Sequence, residues 1–589
     1  MARPRGLFKE MHVPNSSPAL HAAASRGMNV MTGLITDPLQ IDAAAHSWVE
    51  RTRDAMSIEE MVGQLFIFST SRDSREELDP LLALRPGGIN RFPRGDLAAF
   101  RDASVHAVET SAVPPVFTGD IEGGTISYPF ATAVPNIMGV AACDDLATTD
   151  AIARLVARES RVLGYDWSFG PVIDINAAFR SAVVGTRSFG ADPERVRAQA
   201  SVYVRALQDE GIAACLKHWP GDGMDERDQH LVTSVNPLSV DEWHELFGRI
   251  YGSLIGEGVM TVMSAHIAFP AYIRAHFPDA GRDAFQPATV SRLLNQRLLR
   301  EELGFRGLVV SDATGMGGLT GWMERSQAVP TVIENGCDMF LFSRAPERDY
   351  GFMLDGLRSG LLSEARLYEA VTRILTLKAR LGLHRVDPRE RILPLDAMRD
   401  VLQTPAHRAC AAAAAGQGVT LVKDTQNLLP LDPRLHSRIV VIADEGFSFW
   451  DGALERSYDR AIAELKERGF AVRAFDAEAM PTREDTDLVL YLVGQEATPS
   501  ASRIFLDFVK LHGSNRKAMA QFPQEIPTAL ISFGQPYYLF DAPQMMTCVN
   551  AYSSIEPVQR ETIRRLVGEA AFTGVSPVDP FCGQEQLRW

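Results

Sequence analysis

The sequence predicts an α/β protein: a TIM-type (β/α)8 barrel followed by a smaller α/β sandwich domain. Eight short apolar runs recur between about residues 60 and 345. They are continuously apolar rather than alternating, as expected of parallel strands covered on both faces. The segments between them carry apolar residues at three- and four-residue spacing, the helical period. A chain of 589 residues has room for a barrel of about 250 residues and a further domain. An open doubly wound sheet is the alternative arrangement of the same repeats.

In chain order the expected strands are LFIFST (65–70), GGINRF (87–92), PPVFTGD (114–120), YDWSFGP (165–171), AACLKHW (213–219), VMTVMSAHIAF (259–269), GLVVSDA (307–313) and CDMFLFS (337–343). TDAIARLVARESRVL (149–163) and DPERVRAQASVYVRALQDEG (192–211) read as helices, the second closed by its glycine. GLRSGLLSEARLYEAVTRILTLKARLGL (356–383) reads as the helical end of the first unit. The segment 387–417 is charged, then alanine-rich, and VTLVKDTQNLLPL (419–431) looks like a strand entering a turn. A second unit begins with RIVVIAD at Arg438 and continues through 471–477, 486–494, 527–534 and 547–553, leaving QEQLRW as a short tail. The expected division is an N-terminal extension over 1–50, a barrel over 51–385, a linker over 386–436 and a sandwich over 437–589.

Lys and Arg number 59 against 74 Asp and Glu, a formal charge of −15. Polyphosphate binding needs a basic face, so nucleic acid is not an expected partner. The six cysteines (Cys143, Cys215, Cys337, Cys410, Cys548, Cys582) include no C-x-x-C pair and no zinc-ligand spacing, so they read as reduced core thiols and no metal is expected. No G-x-G-x-x-G or G-x-x-x-x-G-K-[ST] turn stands in the second unit, and no cofactor is expected. The basic N-terminus lacks an apolar secretory stretch and no apolar run is long enough to span a bilayer, so the expectation is a cytoplasmic protein without a membrane partner. The Asn15-Ser-Ser sequon is then a chance match, and a homo-oligomer stays open.

In a barrel of this type the chemistry sits at the C-terminal ends of the strands. Here those ends carry Asp120, Lys217-His218, His266 and Asp312, groups that are costly in a core and useful at a barrel mouth. KHWPGDGMDERDQHLVTSVNP (217–237) is too polar for core. Within it Asp228 and His230 are spaced so that the carboxylate can hold one imidazole nitrogen and leave the other facing a substrate. The alternative is a solvated loop. Asp312 enters a loop with several glycines, which permit close approach of backbone and ligand. Such a carboxylate can act as a nucleophile or stabilise an oxocarbenium-like centre; the alternative is a helix cap. His266 reads as barrel wall.

The segments GDIEGG (119–124), GTRSFGADPERV (185–196), KHWPGDGMDERDQH (217–230), MSAHIAFP (263–270), GFRGLVVSDATGM (304–316), VTLVKDTQNLLPL and ISFGQPYYLF (531–540), in this order, resemble a glycoside hydrolase family 3 β-N-acetylglucosaminidase over about residues 55–555. The resemblance implies a retaining, exo-acting enzyme that releases terminal N-acetylglucosamine from a small carbohydrate substrate through a covalent glycosyl-enzyme. It implies Asp312 as nucleophile, His230 as acid/base with Asp228 as its partner, and sugar contacts from Asp120, Arg187, Lys217 and His218. The family loop usually reads K-H-F-P-G-H-G and D-S-H, so Trp219, Asp222 and Gln229 depart from it, as does Thr125 where an arginine often follows E-G-G. A histidine base also repels an incoming anion less than a glutamate, which leaves phosphate open as an acceptor in place of water. A β-glucosidase of the same family with a second-domain glutamate as acid/base is the rival, and a non-catalytic sugar-binding barrel a weaker one. Every catalytic candidate lies in the first unit, so the second is expected to support it.

Overall fold

The computed structural model describes residues 39–589 apart from 71, 73, 93–95, 125–127, 447–456 and 521. Most of the expected extension over 1–50, with its sequon, and Thr125 lie outside the described residues. All eight expected strands form: β1 Phe66–Thr70, β2 Gly88–Arg91, β3 Val116–Gly119, β4 Trp167–Ser168, β5 Cys215–Trp219, β6 Thr261–Ser264, β7 Leu308–Ser311 and β8 Phe340–Leu341. They make a mixed α/β fold with parallel pairing throughout, in two arcs ordered β8-β1-β2-β3-β4 and β5-β6-β7. Parallel bridges stand at both junctions, Trp167 to Ala213 between β4 and the approach to β5, and Val310 to Met339 between β7 and the approach to β8.

The helices begin where the sequence supplies caps. Asp145 accepts from Ala147 and Thr148 N–H groups at the start of Leu146–Val162, and Asp192 caps Pro193–Asp209, whose first-turn proline needs no N–H partner. The helical stretch expected over 356–383 is two helices, Pro346–Ser359 and Glu364–Arg380. Gly360 takes a left-handed φ of 78° and ends the first, and the Ser363 side chain caps the second.

One buried cluster pins the arcs to this helical end. Asp338, fully buried before β8, accepts from Arg366 at 2.6 Å, Arg373 at 3.1 Å, Arg300 at 2.8 Å and the Val309 N–H at 2.9 Å. Burial pushes this carboxyl up, but the three guanidinium groups outweigh it and hold the carboxyl well below the usual range. Removing the shared anion strands three buried or half-buried cations, so Asp338→Ala should cost about 3–5 kcal/mol in urea unfolding. A loss below about 1 kcal/mol contradicts this account of the cluster.

The expected linker folds into helices Pro388–Arg391, Leu395–Val401 and Pro405–Gln417. The strand after them, β9 Thr420–Asp424, belongs to the second sheet and lies before the boundary expected at 437. That sheet continues with β10 Arg438–Asp444, β11 Ala471–Ala474, β12 Leu488–Val493, β13 Thr528–Ser532 and β14 Thr547–Asn550, in the order β9-β14-β13-β12-β10-β11. Only β9 runs antiparallel. Both faces are buried with period two. Ile439, Val441, Leu488 and Leu490 pack on one side with Leu465 and Ile563, and Val440, Ile442, Val489 and Tyr491 pack on the other with Leu511 and Leu539. This double burial is why the strands read as unbroken apolar runs. The QEQLRW tail is fastened rather than loose, since Lys423 Nζ donates to the carbonyls of Leu587 at 2.9 Å and Trp589 at 3.0 Å. Among the described residues all six cysteines are unpaired, and no helix is long and apolar enough to cross a membrane.

Candidate active site

The expected site residues converge beyond the C-terminal ends of the parallel strands. Lys217, buried in β5, places Nζ 2.8 Å from Asp120 Oδ1 and 2.6 Å from Glu122 Oε1. Glu122 also accepts two bonds from Arg187, at 2.7 Å from Nε and 2.9 Å from Nη2. Burial pushes the Glu122 carboxyl up, yet Arg187 and Lys217 outweigh burial and hold it far below the usual carboxylate range. The result is a linked network of two carboxylates and two cations, polar groups of the kind that can bind sugar hydroxyls. Lys217 therefore joins Asp120 to Glu122, and Glu122, a residue inside a quoted motif to which the sequence reading gave no role, joins Lys217 to Arg187.

His218 is held by Asp174, which accepts its backbone N–H at 3.0 Å and faces Nδ1 at 2.6 Å. Asp174 also accepts the Asp222 N–H at 2.8 Å. It stands after β4 in the apolar run PVIDIN, where an isolated carboxylate at a strand end was the available signal.

Asp228 and His230 form the expected pair. Asp228 Oδ1 accepts the His230 backbone N–H at 2.8 Å and faces Nδ1 at 2.7 Å. Nδ1 is thereby occupied, and Nε2 has no partner among the described residues. The Asp228 side chain is 1% exposed and the His230 side chain 21%, so the pair is anchored at its base and open at its tip.

Asp312 follows β7, with its N–H donating to the Ser264 carbonyl at 2.8 Å and its Oδ1 accepting from the Ala313 N–H at 2.7 Å. Burial pushes its carboxyl up; the charges of His218, His266 and His230 and the Ala313 N–H outweigh burial and hold it below the usual carboxylate range. A carboxylate ionised in this way is ready to attack an electrophilic carbon. His266 is fully buried, placed between Thr289 Oγ1 at 2.8 Å and the Ala313 carbonyl at 3.0 Å, so it is wall that steadies the Asp312 loop.

The glycines after Asp312 serve a different purpose from the ligand approach expected of them. Gly317 N–H donates to the His230 carbonyl at 2.8 Å and Gly318 N–H to the Gln229 carbonyl at 3.1 Å. A Cβ on Gly317 would come 2.2 Å from the Leu231 carbonyl oxygen. These residues lack side chains so that the loop after Asp312 can lie against the loop of Asp228 and His230.

The departures from the family loop also find places. Trp219 is buried edge-on against Trp243 and Tyr251, at 5.6 and 4.8 Å between ring centres, behind the site. Gln229 is buried, with Oε1 accepting from the His266 N–H at 2.9 Å. Asp222 lies against Asp174, and burial, with that neighbouring charge, raises its carboxyl well above the usual range. Such a group binds its proton more tightly folded than unfolded. Its contribution to stability is present below the ordinary carboxylate range and is lost as pH rises through the raised value. Asp222→Asn should therefore gain thermal stability over the parent protein progressively as pH rises above the ordinary carboxylate range, read by paired melting curves. A difference that stays flat or shrinks with pH contradicts the assignment.

Among the described residues no group of His, Cys, Asp and Glu is arranged to hold a metal ion. The second unit also reaches the site. Glu496 is buried and accepts from Asn136 Nδ2 at 2.9 Å, and the Ser500 N–H donates to Asp228 Oδ2 at 2.6 Å. Sequence reasoning missed both, the second because a backbone donor has no residue signature.

Comparison with known proteins agrees with this geometry. Residues 57–377 match the glycosyl hydrolase family 3 N terminal domain. The chain is 40% identical over 569 residues to a β-N-acetylglucosaminidase/β-glucosidase of Cellulomonas fimi, covering 94% of this chain and 99% of that one. It is 32% identical over 291 residues to a β-hexosaminidase of Thiobacillus denitrificans, covering 47% of this chain and 75% of the relative. Among solved structures it superposes on the β-glucoside phosphorylase BglX with a TM-score of 0.87 at 34% identity, over 94% of this chain and 99% of that one. A family 3 β-N-acetylglucosaminidase from Paenibacillus sp. str. FPU-7 gives a TM-score of 0.77 at 25% identity, over 89% and 99%. With more than half its length matched by the family domain and nearly all of it aligned to a relative, the chain belongs to glycosyl hydrolase family 3 and is a glycoside hydrolase.

Proposed function

We propose that the protein is a retaining, exo-acting β-N-acetylglucosaminidase in which Asp312 is the nucleophile and His230, held by Asp228, the acid/base. The observation that carries the reading is the placement of the Asp228–His230 pair directly against the Asp312 loop, with Nδ1 engaged and Nε2 open. In the first step an Asp312 oxygen attacks the anomeric carbon, the bond to the leaving oxygen breaks, and that oxygen takes a proton from Nε2 of the imidazolium. In the second, water attacks the same carbon, gives its proton to Nε2 and releases Asp312. Imidazole, with an ordinary pKa of about 6.5, can give and take a proton near neutral pH. Asp120, Lys217, His218 and Arg187 would bind the sugar.

We place this chemistry in a closed (β/α)8 barrel over 51–385, joined by the helices of 388–417 to an α/β sandwich whose sheet already includes β9 Thr420–Asp424, ahead of the expected boundary at 437. The bridges at both junctions of the two arcs support closure over an open sheet. In the second unit Glu496 takes hydrogen bonds on both oxygens, from Asn136 and from Ser553 and Ser554, as a structural carboxylate does. That favours His230 over a second-domain glutamate as acid/base.

A panel of aryl β-glycosides tests the sugar: strong preference for the 2-acetamido sugar supports the proposal, and equal or better turnover of glucosides returns it to the β-glucosidase reading. Phosphorolysis is a second reading, favoured by the similarity to a protein named as a phosphorylase. Products of an N-acetylglucosaminide disaccharide with and without phosphate separate the two, since a sugar 1-phosphate forms only if phosphate replaces water.

A further inference from the structure

The segment that leaves β12, residues 495–500, lies across the loops that carry the site. Glu496 bonds Asn136, and Gly124 of the E-G-G motif, at φ 57°, comes so near that a Cβ there would stand 2.4 Å from Glu496 Oε2. The Ala497 N–H donates to Thr186 Oγ1 at 2.8 Å, one residue before Arg187. The Thr498 N–H donates to the Ala182 carbonyl at 2.8 Å. Pro499 offers no N–H, and the next donor, on Ser500, reaches Asp228 Oδ2 at 2.6 Å from a left-handed backbone at φ 65°. Ser553 and Ser554 hold Glu496 from the second sheet, so the strap is fixed at its start.

We infer that this strap positions the acid/base dyad, the Ser500 N–H fixing the Asp228 carboxylate so that His230 keeps the orientation and proton affinity its role needs. The inference rests on the proposed role of His230. The terminal torsion of an aspartate is broad and roughly two-fold, so a carboxylate bonded through one oxygen can still swing. Asp228 bonds His230 only through Oδ1; the Ser500 N–H on Oδ2 closes the second side. A hydrogen bond to a carboxylate is charge-assisted and draws off negative charge, which tempers the pull of Asp228 on the imidazolium proton. Ser500 acts through Asp228 and touches no substrate, so it is a positioning residue.

The test compares Ser500→Pro, which removes the N–H and also turns the left-handed φ of 65° to about −65°, with Ser500→Gly, which keeps both the N–H and the left-handed backbone. On an N-acetylglucosaminide with a basic leaving group, Ser500→Pro should lower kcat about ten- to a hundredfold with little change in KM, while an activated aryl glycoside is nearly unaffected. The alkaline limb of its pH profile, where the proton donor is lost, should move to higher pH, because the untempered carboxylate holds the imidazolium proton harder. Ser500→Gly should follow the parent protein in both respects. Thr186→Val, which strips the acceptor from the Ala497 N–H, should give a milder form of the same signature and carries the test should Ser500→Pro not fold. Equal losses on both substrates, or an unmoved pH profile, overturn the proposal. His230→Ala run in parallel separates the causes: if it discriminates between leaving groups and the strap variants do not, only the strap inference fails. If His230→Ala shows no discrimination, the dyad reading fails and the inference with it.

Discussion

Asp312→Asn should lower turnover of all β-glycoside substrates by on the order of 10⁴–10⁶-fold while the thermal midpoint stays near that of the parent protein. The amide is isosteric and can still accept the Ala313 N–H at 2.7 Å. What it loses, on the proposed mechanism, is the charge that attacks the anomeric carbon, and with it the covalent intermediate that divides one difficult displacement into two easier ones. The charges of His218, His266 and His230, with the Ala313 N–H, hold the Asp312 carboxyl below the usual carboxylate range against burial. Among the described residues the other carboxylates named at the site are engaged by cations or imidazoles: Asp120 and Glu122 by Lys217, Asp174 by His218 and Asp228 by His230. Circular dichroism melts with steady-state rates on an activated and an unactivated substrate check the pair of expectations. Residual activity within about a hundredfold of the parent protein contradicts the role given to Asp312.

The second large effect is selective. His230→Ala should lower turnover of substrates with basic leaving groups by about 10²–10⁴-fold and of activated aryl glycosides by much less, because an acid matters most when the departing oxygen holds its proton tightly. Azide should restore deglycosylation of the activated substrate by taking the place of the missing base-assisted water, giving a glycosyl azide. Glu496→Gln should show no such rescue, since Glu496 serves as an acceptor for Asn136, Ser553 and Ser554. Rescue at Glu496 and not at His230 would move the acid/base to the second unit and the protein to the β-glucosidase reading.

The strands of both units were legible because burial on both faces writes unbroken apolar runs such as RIVVIAD and DLVLYLV. The breaks between helices were less so: Gly360 inside a helical pattern ends a helix here, but glycine is also tolerated within one. The helices of residues 388–417 were masked by charge and by alanine, which carries little amphipathic signal. Asp338 sat unnoticed in an apolar run because its three arginine partners come from distant segments.

At the site, side chains with distinctive chemistry could be named from the sequence, and the Asp228–His230 pair lies two residues apart, so local geometry alone brings it together. Glu122 and Asp174 needed the fold, since each acts by holding another residue across 65 and 44 positions of chain. The glycine loop after Asp312 was assigned to ligand approach, whereas its glycines make room for the carbonyls of His230 and Leu231. The Ser500 contact left no trace at all, because a backbone N–H is common to nearly every residue.

The most direct test of the central claim is to trap the glycosyl-enzyme. Incubation with a 5-fluoro analogue of the 2-acetamido sugar slows both steps and lets the intermediate accumulate when the leaving group is good. Digestion and peptide mass mapping then locate the added mass. One label per chain is expected, on Asp312 within the peptide GLVVSDATGM, and none on the Asp312→Asn protein. A label on any other carboxylate, or catalysis without any accumulating label, would contradict it.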